Sequence, residues 1–71
     1  MDMAERAKEP IGPVEALNLA LKKEIEAHDL YIRLANDMHG REVGDIFINL
    51  ANEEVKHRKL IEDMLRKITK E

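Results

Sequence analysis

Glu24, Glu54 and His57 have the side-chain types to hold a metal ion, and the last two stand three residues apart in Glu54-Val55-Lys56-His57. Carboxylate oxygens with one imidazole suit iron or manganese better than thiolate-seeking metals, and zinc is a workable substitute. Two further residues bear on that chemistry. His28, one turn after Glu24, reads either as a packing neighbour that supports the ligands or as an additional ligand. Tyr31 reads either as a core residue whose hydroxyl bonds a carboxylate or as a redox participant. The competing reading of Glu54 and His57 is a partly buried ion pair at the hairpin interface.

Positioning these groups falls to two helices. From Val14 to Met38 there is no glycine or proline, and Ala, Leu, Glu and Lys dominate, residues that lose little rotamer freedom in a helix. Pro13 supplies the start, because its missing N–H falls where no intrahelical partner exists. Gly40 supplies the stop, and His39 sits beside the last carbonyls. Helix one is expected over about 13–39, a tight turn over Gly40 to Glu42, and helix two over about 42–69. The short turn forces an antiparallel hairpin in an all-α domain, preceded by a flexible N-terminal arm, residues 1–12.

At ~100° per residue, Glu24 falls in the middle of an apolar face with Leu17, Ala20, Leu21, Ala27, Tyr31, Leu34, Ala35 and Met38. Glu54 falls likewise among Val43, Ile46, Phe47, Leu50, Ala51, Ile61, Met64, Leu65 and Ile68, with His57 on the same face. Glu24 stands 16 residues before Gly40 and Glu54 14 after it, so their heights along the hairpin should differ by only about 3 Å. Acids buried at one level cost several kcal/mol each, roughly, unless something neutralises them. Lys22, Lys23, Arg33, Lys56 and Lys59 fall on the solvent side, which leaves Arg58 as the single cation near Glu54. A metal ion answers the imbalance, and a second copy of the hairpin would double the donors to four glutamates and two histidines.

Composition narrows the alternatives. Seventy-one residues with 44% apolar content form one small domain, and chains of this size lean on disulfides, metal or self-association for stability. There is no cysteine, which removes disulfides, thiol catalysis and thiolate metal sites and fits a reducing, cytoplasmic location. The charge of -3 with no basic stripe argues against nucleic acid. No apolar run reaches the ~18 residues of a membrane span. A soluble protein is expected.

The stretch Glu24-Ile25-Glu26-Ala27-His28-Asp29-Leu30-Tyr31, then Phe47, then Ala51-Asn52-Glu53-Glu54-Val55-Lys56-His57, resembles the rubrerythrin branch of the ferritin-like superfamily. The nearest likeness is to the encapsulated ferritins, which are half-bundles. The resemblance covers about Leu17 to Leu65 and implies a hairpin that dimerises into a four-helix bundle around two iron ions. In it Glu24 would be a terminal or bridging ligand, Glu54 a bridging carboxylate and His57 a terminal nitrogen ligand, with Tyr31 and His28 as their neighbours. The implied activity is oxidation of Fe(II) by dioxygen or peroxide for iron storage or detoxification. Two readings compete with it: a rubrerythrin-like peroxidase, for which this chain has no cysteine with which to build a rubredoxin centre, and a non-enzymatic oligomerisation or adaptor hairpin whose acids are met by Arg58, His28 or water. The implied partners are a second copy, singly or in larger assemblies, and an encapsulin shell, although no hydrophobic cargo-targeting tail is seen up to Lys70-Glu71. The sequence departs from the encapsulated ferritins at Leu30, where tryptophan is common, and at Lys23, which replaces one acid of their iron-access site and leaves Glu26.

Overall fold

A computed structural model describes residues 11–70. Two helices account for almost all of them: α1, Pro13–Asp37, and α2, Glu42–Thr69. The expected N-terminal arm lies outside the described residues except for Ile11 and Gly12. No strand occurs among the described residues, and no described helix is long and apolar enough to cross a membrane.

Helix α1 opens with Gly12 in an extended conformation and Pro13 at its first position, and the Gly12 carbonyl accepts from the Ala16 N–H at 3.0 Å. Its end falls at Asp37, two residues short of the expected Met38–His39 terminus. At Met38 the backbone leaves helical geometry (φ -103°, ψ 23°), and the chain closes with tighter bonds, from His39 N to Asn36 O and from Arg41 N to Met38 O. Gly40 makes the reversal in the left-handed region at φ 83°, which a side chain disfavours by about 1 kcal/mol. Helix α2 carries Glu42 and Asp45 in its first turn and Arg66 and Lys67 in its last, both matched to the helix dipole.

The two helices pack through small residues. Ala35, Gly44 and Ala51 are buried, and among the described residues no large side chain is fully buried. Gly44 sits so close to the end of α1 that a Cβ there would lie 2.5 Å from the Met38 carbonyl oxygen. Above it the Tyr31 and Phe47 rings stack with centroids 6.2 Å apart. The outcome is a slab, 46 × 29 × 11 Å across its Cα atoms, about one helix thick. A slab of that thickness has two broad faces and little interior.

Apolar side chains consequently remain uncovered. On α2, Ile46, Leu50 and Met64 are 55%, 37% and 45% exposed; they share a flank with His57, while Gly44 and Ala51 occupy the flank turned to α1. For antiparallel right-handed helices, the matching flank of α1 carries Ala20, Ala27 and Leu34. A second exposed set, Ile25 and Ile32 of α1 with Ile48 and Val55 of α2, lies on the reverse face.

Gly44→Ala should lower stability by about 1–3 kcal/mol through overpacking against the Met38 carbonyl. Gly40→Ala should cost about 1 kcal/mol through its backbone alone. Thermal melts followed by circular dichroism measure both, and equal stability of Gly44→Ala and the parent would contradict the close approach.

Candidate metal centre

Halfway along the hairpin the structure brings Glu24, Glu54 and His57 together, with one donor atom from each lying within 4.8 Å of the others. The meeting follows from register. A turn that fixes the helices antiparallel at Gly40 puts residues about equally distant from it side by side, and 16, 14 and 17 residues separate these three from it. His57 Nδ1 lies 3.3 Å from Glu24 Oε2 across the helix interface and 3.9 Å from Glu54 Oε2 one turn back on its own helix, so the imidazole addresses both carboxylates. The glutamate side chains are 24% and 16% exposed, against 51% for His57, which stands toward the open flank.

The acids perturb one another. Glu54 is raised above the ordinary glutamate value, first by hydrogen bonding with the Glu24 side chain, then by burial and by the charge of Glu24; His57 pulls the other way and Glu53 adds a small push upward. Two carboxyls sharing a site cannot both ionise freely. A proton or a cation between them would relieve that repulsion.

No lysine or arginine supplies that cation. Arg58, the basic residue nearest this face in the sequence reading, pairs with Glu62 at 3.4 Å. Lys23 is engaged with Glu26 and Lys56 with Glu53. Among the described residues no lysine or arginine nitrogen comes within 4 Å of Glu24 or Glu54. Among the described residues the half-buried pair of acids therefore has one imidazole as its basic neighbour within 4 Å.

The two supporting candidates sit apart from the trio. His28 Nδ1 lies 3.3 Å from Asp29 Oδ1, and His28 is not one of the three clustered residues; it does not serve as a counter-ion to Glu24 or Glu54. Tyr31 is half-buried against Phe47, and its hydroxyl makes no hydrogen bond to a described residue of the same chain. The sequence reading overlooked the part played by Gly44, whose only signal was a glycine near a helix start. It also placed Lys23 and Lys56 on the solvent side without pairing them to Glu26 and Glu53, although opposite signs three residues apart mark those pairs.

A family model for rubrerythrin matches residues 15–71 of the chain, from the first turn of α1 through the whole of α2. The chain belongs to the rubrerythrin family. No curated protein and no solved structure matches it. Rubrerythrins are ferritin-like proteins that typically bind iron, and the oxygen-rich donor set of this rubrerythrin, with one imidazole and no balancing amine, fits a hard divalent cation. One hairpin offers three such donors. That is a half-site by the standard of ferritin-like bundles, which bring glutamates from two helices and Glu-x-x-His from two more.

The raised pKa of Glu54 fixes the sign of a pH effect in the metal-free protein. A carboxyl that binds its proton more tightly when folded stabilises the fold at acid pH, and that stability is lost as pH rises from the ordinary glutamate value through the raised one. Melting temperature measured in chelator should fall across that interval, and Glu54→Gln should flatten the fall. An unchanged slope in Glu54→Gln would mean that other groups set it.

Proposed function

We propose that two copies of this chain pair across their open flanks, so that Glu24, Glu54 and His57 from each hold two iron ions between four helices. At this site Fe(II) would be oxidised by dioxygen or peroxide, for iron storage or detoxification in the cytoplasm. The observation that carries the reading is the mid-hairpin trio, two carboxylates facing each other with no lysine or arginine nitrogen within 4 Å among the described residues. The uncovered row of Ile46, Leu50 and Met64 beside His57 supports the pairing, since a second slab laid there would bury that row and bring in three more donors.

Each side chain has a distinct part. Glu24 and Glu54 supply hard oxygens from opposite helices, and because Glu54 holds its proton more tightly than an ordinary glutamate, cation binding there would weaken as pH falls. His57 supplies a neutral nitrogen, with Nδ1 already aimed at the space between the carboxylates. Tyr31 and Phe47 close the turn-ward side with stacked rings and limit water there. With dioxygen as oxidant, two Fe(II) give up one electron each, and dioxygen takes those electrons with two protons and leaves as hydrogen peroxide. With peroxide as oxidant, the same two electrons and two protons cleave the O–O bond and yield two waters. Flexible carboxylates suit both oxidation states of the substrate iron.

Metal analysis of anaerobically loaded protein, combined with absolute molar mass in solution, tests the reading. It expects a dimer with about one iron per chain, and a monomer without metal would overturn it. Fe(II) or Mn(II) should raise the melting temperature by mass action, worth about 2.7 kcal/mol at a hundredfold excess over Kd. Glu54→Ala and His57→Ala should each remove both that rise and the oxidation of Fe(II). A hairpin acting only as an adaptor would show the same melt with and without metal.

A further inference from the structure

Two oppositely charged pairs lie near the level of the trio. At ~100° per residue, Lys23 and Glu53 stand at the rim of the open flank, with Glu26 and Lys56 one step farther round their helices. Lys23 Nζ lies 3.7 Å from Glu26 Oε2 on α1, and Lys56 Nζ lies 3.3 Å from Glu53 Oε1 on α2. All four side chains are more than half exposed in the single hairpin. Isolated surface pairs of this kind add little to folding. Their levels along the hairpin are what sets them apart. Lys23 stands 17 residues before Gly40 and Lys56 16 after it, whereas Glu26 stands 14 before and Glu53 13 after. The two lysines therefore share one level and the two glutamates another, about 4 Å nearer the turn.

A second copy can cover the open flank through either of two two-fold axes. With the axis along the helices, α1 of one copy lies against α2 of the other and equal levels meet. Lys23 then faces Lys56, and Glu26 faces Glu53, along both seams. With the axis across the helices at the level of the trio, α1 lies reversed against α1 and α2 reversed against α2. Lys23 then comes level with Glu26 of the partner subunit, and Lys56 falls within about 4 Å of the level of Glu53 of the partner subunit. Both packings cover the same apolar row and both gather six donors at one level. Charge separates them.

We propose that Lys23, Glu26, Glu53 and Lys56 act as the orientation code for self-association, selecting the crossed two-fold in which each helix pairs with its own copy. The occupant of the open flank is a second copy of this chain, and the rim charges decide how the two half-sites face each other. This inference rests on the pairing proposed above. An isologous interface of this kind must be self-complementary, and opposite charges three residues apart on an antiparallel seam meet that requirement.

The test uses two full-length variants, Lys23→Glu, which leaves two acids on the α1 edge, and Glu26→Lys, which leaves two lysines. Neither residue belongs to the trio. Donor and acceptor dyes on the two variants report mixed dimers by energy transfer, with helicity followed by circular dichroism. Each variant alone should dimerise several-fold more weakly than the parent. Their equimolar mixture should form mixed dimers well above the half given by random pairing, and the excess should vanish near 1 M salt, where screening acts within about 3 Å. The exchanged double variant, Lys23→Glu with Glu26→Lys, should dimerise like the parent. Random mixing, or a double variant tighter than the parent as equal-level seams require, overturns the orientation code while leaving the pairing intact. A parent that stays monomeric with Mn(II) overturns both.

Discussion

Two carboxylates delivered to one place by different helices constrain almost everything else in this chain. Glu24 and Glu54 can meet only if the turn holds the helices in a fixed register, and their partial burial costs least when a proton or a cation lies between them. Lys23, Lys56 and Arg58, the ion-paired basic residues closest to the two acids in sequence, are engaged with Glu26, Glu53 and Glu62. A structural ion pair would have kept one of those cations close. The arrangement instead leaves negative charge with a single imidazole, which is costly in an empty hairpin and favourable around a divalent ion.

The thinness of the molecule follows from the same economy of parts. Alanine and glycine at positions 35, 44 and 51 let the two backbones come close, and close approach is what brings side chains as short as glutamate within reach across the gap. The large apolar residues are then left on the outside, because small contact residues fill the seam. A layer one helix deep cannot bury Ile46, Ile48, Leu50 or Val55 by itself, and two-helix units of this size acquire ordinary stability only by stacking on something.

Much of this could be read from residue order. An unbroken run of helix formers ending at Gly40 marked both helices and the turn, and counting outward from that glycine located the level at which Glu24 meets Glu54 and His57. The rest depended on three-dimensional detail that periodicity does not encode. Where α1 stops is decided by the backbone at Met38, not by the composition of Met38-His39. That Arg58 reaches Glu62 and not Glu54 reflects a choice between neighbours on adjacent turns, which a helical wheel shows as almost equally close. Tyr31 spends its ring on Phe47, and no count of residues says whether its hydroxyl finds a carboxylate.

Because the chain doubles back at a single point, sequence distance between facing residues widens steadily toward the free ends: 16 positions at the Tyr31–Phe47 stack and 33 at Glu24–His57. Loop-closure entropy grows with that distance, so the hairpin closes as a zipper does, from the bend outward. The mutually repelling acids are the tooth halfway up. Contacts beyond that tooth, toward the free ends, close the longest loops and so carry the largest closure cost.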